Sequence, residues 1–295
     1  MRIGVVEVGG ARRLALVEDD HFRVAPAVAG DLVDLVRGGG AALTAFENAA
    51  RGFETVPFDR DLLRAPLRRF RRDILCAGWN YWDHFEEGRG RREGQEVDRP
   101  EHPTFFTKGP DTVVDPYGPI AFDPALSTKW DYEVEVAVVI GRDGRSIAEA
   151  DALDHVFGYC LANDISQRDL QRAHGGQWLK GKSIDQTMPL GPWITTADAV
   201  SPQAVDIACE VNGDRLQDAS TALMAFPIAT LIAELSRGMT LRAGDLLLTG
   251  TPAGVGNART PPLFLKEGDV VVSSSPQLGE LRNRMTRVDL ISPTA

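Results

Sequence analysis

The chain is poor in cysteine: three of its 295 residues, Cys76, Cys160 and Cys209, with no CxxC spacing among them. So odd and scattered a set builds neither a disulfide framework nor a thiolate zinc site. Long apolar runs are missing too, and no stretch approaches the ~20 residues a helix needs to span a bilayer. Positive charge is in deficit. A formal net charge of −10 repels nucleic acids and anionic membranes alike. The basic run Arg64 to Arg72 is interrupted by Leu67 and Phe70 and reads as a solvated linker face. The opening residues Met1 to Glu7 have strand character, without the apolar core of a signal peptide. The expectation is a soluble cytoplasmic protein with no nucleic-acid partner and no membrane partner.

What is present points to a mainly β (α+β) chain. The hydrophobic share of 43% is enough for a substantial core, in one large domain or a small one before a larger one. Residues 2–25 alternate short apolar runs with turns and read as a β-meander. Residues 31–52 are helical in character, in two pieces separated by Gly38-Gly39-Gly40. A Pro- and Arg-rich connector from Pro57 to Arg72 marks an expected boundary, dividing a small front domain (1–70) from a larger one (71–295). Further on, Ile147 to Leu153 reads as a short helix, and Val156 to Ala162 as a strand. Asn212-Gly213 is a hairpin signal. Pro227 opens a helix with Ile228, Leu231, Ile232 and Leu235 on one stripe.

The stretch with most chemistry is Asp131-Tyr132-Glu133-Val134-Glu135-Val136-Ala137-Val138-Val139-Ile140. As a strand it puts Tyr132, Val134, Val136 and Val138 on one face and Asp131, Glu133 and Glu135 on the other. Carboxylates at successive same-face positions repel one another, and a hard divalent cation removes that cost. The ordinary alternative is a solvated edge strand. Earlier in the chain, His84 and Glu87 stand three apart in an expected helical turn, close enough for the carboxylate to fix the imidazole tautomer. A merely solvated pair is the competing reading. The polar stretch Gly88 to Pro103 cannot build a core and is expected to be a mobile lid.

Asn163-Asp164 closes the strand before a helix in which Ser166 and Asp169 read as N-cap and capping box, and turn chemistry accounts for Asp164 equally well. Gly176 to Ser183 fits the GxxxxGK[ST] phosphate-loop pattern letter for letter. It lacks the preceding buried strand and the following helix, so no nucleotide site is expected, although Lys182 can still serve as a cation near an anionic substrate. The loop Gly250-Thr251-Pro252-Ala253-Gly254-Val255-Gly256 permits close approach of backbone to ligand.

Taken in order, Gly78-Trp79-Asn80-Tyr81-Trp82-Asp83-His84, Asp131 to Glu135, Asn163 to Gln171, Gly181-Lys182-Ser183 and Gly250 to Gly256 resemble the fumarylacetoacetate hydrolase family. The likeness runs from about residue 73 to the end, and residues 1–70 resemble the front domain of its bacterial two-domain, acylpyruvase-like members. The resemblance implies a mixed β-sandwich roll with few short helices and assembly as a homodimer. It implies that Glu133, Glu135 and Asp164 bind one Mg²⁺ or Mn²⁺, that His84 and Glu87 form a catalytic dyad, and that Lys182 is the catalytic lysine. Gln171, and less securely Arg168 and Thr251, fall on substrate-contact positions.

The expected reaction is hydrolysis of a C–C bond in an acylpyruvate-like 2,4-dioxo acid. His84 would activate water, Lys182 would stabilise the oxyanion, and the metal would take up the charge of the enolate leaving group. Decarboxylation of an oxaloacetate-like acid and isomerisation of an unsaturated dioate use the same enolate and remain alternatives. A relative that keeps the fold without catalysis is the remaining one.

Overall fold

A computed structural model describes residues 1–27, 30–91 and 96–293. Strands dominate, and apart from the broken helix Leu32–Ala50 the helices are short. The long path of the main sheet starts at Glu54–Pro57 and runs through His21–Val24, Ala11–Val17 and Arg2–Val8 to Met188–Thr196. It continues through Val156–Asn163, Val134–Ile140, Leu246–Leu248 and Ile74–Gly78 to Thr104–Lys108. The front meander is therefore hydrogen-bonded into the same sheet as the rest, with Arg2 and Ile3 opposite Thr195 and Ile194. A second sheet of five strands, Asp214–Ser220, Asp206–Val211, Val270–Ser275, Gly279–Arg287 and Ile120–Phe122, packs against it. This is the mainly β sandwich roll that the sequence leads one to expect.

Strand Val134–Ile140 lies at the heart of the layers. All seven residues are buried, and its β-branched side chains suit a strand covered on both faces. Val134, Val136, Val138 and Ile140 meet Ile207, Val271 and Leu281 in one core, while Ala137 and Val139 join Leu32, Val33 and Val36 in another. The solvated edge strand is thereby excluded.

Local signals account for several elements. The turn Asn212-Gly213 takes the left-handed φ values (55° and 93°) of a two-residue hairpin. Helix Leu32–Ala50 breaks at Gly39, whose φ of 62° and ψ of −155° are not helical. Helix Ile228–Ser236 follows Pro227 and buries Ile228, Leu231, Ile232 and Leu235.

The short helix expected over Ile147 to Leu153 forms as a 3₁₀ segment, Glu149–His155, in which only Ala152 and His155 are buried. Without an apolar stripe, nothing holds a full α turn there. Ser166 is not an N-cap. It lies in the short strand Ser166–Gln167, paired with Trp130–Asp131, and the helix Arg168–Ala173 starts without a side-chain cap. The Ser166 hydroxyl donates to the Asp164 carbonyl, and Asp169 accepts from the Ser127 hydroxyl. Long-range pairing has displaced the local capping box. Among the described residues no helix is long and apolar enough to cross a membrane.

Candidate metal and catalytic site

Sheet register gathers the site. Strands Val134–Ile140 and Val156–Asn163 are antiparallel, with Val134 opposite Asn163. The residue before one strand therefore meets the residue after the other, and Asp164 N–H donates to the Glu133 carbonyl at 2.8 Å. Leu246–Leu248 is antiparallel to Val134–Ile140 and parallel to Ile74–Gly78. Its exit, the glycine loop from 250, and the chain beyond Gly78 accordingly leave at the same end of the sheet.

At that end Glu133, Glu135 and Asp164, all buried, bring one carboxylate oxygen each within 4.8 Å of one another. Asp164 Oδ1 is buried 2.8 Å from Lys108 Nζ, and Glu135 Oε2 accepts the Gly250 N–H at 2.6 Å. Burial, followed by the neighbouring charges of Asp164 and Glu133, pushes the Glu135 carboxyl well above the usual range. A buried, all-oxygen set of three carboxylates suits a hard divalent cation rather than zinc. Burial also pushes the Glu133 carboxyl up, but Arg168 and Lys182 more than offset this and hold it at about 2. Lys182 Nζ donates to Glu133 Oε2 at 2.5 Å and to Asp164 Oδ2 at 2.9 Å. Burial works against its charge, yet those two carboxylates raise its pKa above the ordinary lysine value.

Asp131 does not join the triad. A break at Tyr132-Glu133 separates Trp130–Asp131 from Val134–Ile140, so the simple alternation stops there. The Asp131 carboxylate instead accepts the N–H groups of Gly256 (2.7 Å) and Asn257 (3.0 Å) and pairs with Arg168 Nε at 2.8 Å. It ties the glycine loop to the strand.

Helix Trp82–Glu87 carries the His84–Glu87 pair. His84 Nδ1 lies 2.7 Å from Glu87 Oε1, and Glu87 Oε2 accepts the Gly254 N–H at 2.8 Å. With Nδ1 engaged, Nε2 has no hydrogen-bond partner among the described residues. His84 lines the inner cavity, about 30 Å³, together with Glu133, Glu135, Lys182 and Thr251. Arg168 and Gln171 line this cavity and an adjoining one of about 70 Å³. Gln171 Oε1 accepts from Arg168 Nη1 at 3.2 Å, and Arg168 Nη2 reaches Glu133 Oε1 at 2.5 Å. The Thr251 hydroxyl donates to the Val134 carbonyl and accepts from Gln217. The nine residues that the family resemblance assigns to metal, catalysis and substrate contact thus lie at one place.

The phosphate-loop lookalike folds as a short 3₁₀ turn, Leu179–Gly181. Its glycine has another purpose: a Cβ on Gly181 would stand 2.2 Å from Gln171 N and 2.4 Å from Gln171 Cα. Trp178 covers Gly78 in the same way, its ring 2.4 Å from where a Cβ would be. Of the expected lid, residues 92–95 lie outside the described residues. On its two sides, Arg91 donates to Thr260 and the Asn257 carbonyl, and Arg99 pairs with Glu86 at 2.7 Å. Sequence reasoning missed Lys108, which is wholly buried beside Asp164. A lone lysine at the end of the run Phe105-Phe106-Thr107 gave no signal of that burial.

The model of the fumarylacetoacetate (FAA) hydrolase C-terminal family matches residues 73–286. The chain is 43% identical over 224 residues to the oxaloacetate tautomerase YisK of Bacillus subtilis (strain 168), covering 76% of this chain and 72% of that protein. It is 39% identical over 262 residues to the mitochondrial oxaloacetate tautomerase Fahd2a of Rattus norvegicus, covering 88% and 81%. Among solved structures, the fumarylacetoacetate hydrolase of psychrophilic Exiguobacterium antarcticum matches at TM-score 0.80 and 37% identity, over 98% of this chain and 100% of that one. The maleylpyruvate hydrolase of Sphingobium sp. SYK-6, solved with manganese(II) and pyruvate, matches at TM-score 0.77 and 28% identity, over the same 98% and 100%. On the family match, the identities and the shared fold together, the chain belongs to the fumarylacetoacetate hydrolase family.

Proposed function

We propose that this protein is an enzyme of small 2-oxo acids, dependent on Mg²⁺ or Mn²⁺ held by Glu133, Glu135 and Asp164, and that its reaction passes through the substrate's enol form. The observation that carries the reading is that a carboxylate-oriented imidazole and two acids of a buried triad, Glu133 and Glu135, line one small cavity, with the third acid, Asp164, clustered with them. When bound, the cation supplies a Lewis acid for the 2-oxo and carboxylate oxygens. The chain's own groups do the rest. His84 Nε2 takes a proton from the carbon next to the 2-oxo group and returns it to oxygen, or the reverse. Glu87 holds the ring in the required tautomer and stabilises its charged form. Lys182 places a fixed positive charge where the oxyanion develops, and Arg168 and Gln171 hold the substrate's carboxylate end.

Keto–enol interconversion of an oxaloacetate-like acid is the first reading, supported by relatives named as oxaloacetate tautomerases. It replaces C–C hydrolysis in first place because proton transfer needs no attacking water. The two cavities total far less than the roughly 300–1,000 Å³ of drug-sized pockets, which favours a compact acid. Hydrolysis of an acylpyruvate is the second reading, supported by the maleylpyruvate hydrolase neighbour. There the same base would take its proton from water. A panel of oxaloacetate, acylpyruvates and an unsaturated dioate, followed by enol absorbance, pyruvate release and CO₂ release, separates them. Faster enol loss from oxaloacetate than cleavage of any acylpyruvate supports the first; the opposite order overturns it in favour of the second. Assembly as a homodimer, checked by light scattering, and a cytoplasmic location belong to the same proposal.

A further inference from the structure

Lys108 ends the strand Thr104–Lys108 and is wholly buried. A buried lysine is retained only where its charge and its three N–H groups find partners. Here Nζ lies 2.8 Å from Asp164 Oδ1, donates to the Ile165 carbonyl at 3.2 Å, and donates to the Lys182 carbonyl. These acceptors come from two separate segments, the one that delivers the third acid and the one that delivers the Lys182 ammonium. The contact with Asp164 Oδ1 is an ion pair between two wholly buried charges. None of the steps assigned to His84, Glu87 or Lys182 uses Lys108.

We propose that Lys108 sets the charge of the acid site, so that a dication is held loosely enough to leave attraction for an anionic substrate. The inference rests on the triad's being a cation site. The buried cluster has four acids, Asp131, Glu133, Glu135 and Asp164, against three cations, Lys108, Arg168 and Lys182. Its formal charge is therefore −1, and a dication makes it +1, which attracts a carboxylate. Without Lys108 the loaded cluster is neutral: the cation is bound more tightly and the anion less so. Coulomb interactions over a few ångströms inside a protein make each effect about tenfold or more.

The test is calorimetry on the full chain: Mn²⁺ titrated into chelator-treated protein, then oxalate titrated into the Mn²⁺-loaded protein. Parent, Lys108→Met, Lys108→Gln and Lys108→Arg are compared after circular dichroism shows them folded. In the neutral variants Mn²⁺ affinity should rise about tenfold while oxalate affinity falls by a similar factor, and Lys108→Arg should stay near the parent. Opposite shifts are what a mere packing role would not produce. If both affinities fall together, or neither moves, while the parent binds Mn²⁺, the role of Lys108 is refuted and the triad reading stands. If the parent binds no Mn²⁺, the triad reading fails and takes this inference with it.

Discussion

Replacing Glu87 by Gln leaves the side chain's shape intact but removes one of its two accepting oxygens. The carboxylate faces two groups, His84 Nδ1 at 2.7 Å and the Gly254 N–H at 2.8 Å. If the amide oxygen turns to His84, the amide NH₂ confronts the Gly254 N–H, and two donors face each other. If the oxygen turns to Gly254, the NH₂ donates to Nδ1, forcing the ring proton onto Nε2 and silencing the base. The first arrangement costs roughly 1–3 kcal/mol for a buried unsatisfied donor, and the second abolishes general-base function. With a tenfold change for about every 1.4 kcal/mol, Glu87→Gln should lower kcat roughly 10- to 100-fold and leave KM nearly unchanged. His84→Ala should lose about 10²–10⁴, and the double variant should be no worse than His84→Ala, because the two residues act as a unit. The assay is enol absorbance with oxaloacetate under Mn²⁺ saturation. A Glu87→Gln enzyme as fast as the parent, or losses that multiply in the double variant, would refute the dyad.

Lys182→Met should destabilise the metal-free protein by about 3–5 kcal/mol, since it strips a buried cation from two carboxylates. At a few degrees per kcal/mol, this is a melting-point loss on the order of 10 °C. Differential scanning fluorimetry should show Mn²⁺ recovering more of that loss in the variant than it adds to the parent; equal shifts would contradict the view that Lys182 and the dication draw on the same two carboxylates. Because burial and its acidic neighbours raise the Glu135 pKa, a proton and a dication compete for this carboxylate. Mn²⁺ affinity should therefore rise with pH until the pH passes the raised value, with proton release visible as a buffer-dependent binding enthalpy. A pH-independent affinity would sink that reasoning. Gly181→Ala must push a methyl group into the Gln171 backbone and should cost about 1–3 kcal/mol in thermal or denaturant unfolding; an unchanged midpoint would show the contact to be soft.

What was legible in the sequence was local. The hairpin at Asn212-Gly213, the stripe behind Pro227 and the i,i+3 relation of His84 and Glu87 depend on neighbours a few residues away, and they formed as read. The meeting of Asp164 with Glu133 depends on register between two strands, which no spacing within either one reveals; the family resemblance supplied it instead. Asp131 was misjudged because a two-residue break ended the alternation that placed it beside Glu133. Ser166 was misjudged because a strand partner more than thirty residues away outcompeted a local cap. Lys108 was invisible because burial of a lone lysine is decided entirely by the acceptors that distant segments bring to it.

The convergence of three carboxylates on one cation is tested most directly by titrating Mn²⁺ into chelator-treated parent, Glu135→Gln and Asp164→Asn proteins in a calorimeter, with circular dichroism confirming the fold. One Mn²⁺ should bind per parent chain, and binding should weaken by at least about a hundredfold in each variant, in keeping with removal of a charged ligand from a small oxygen site. Parent and variants binding Mn²⁺ alike, or the parent not binding it, would contradict a metal site built from Glu133, Glu135 and Asp164.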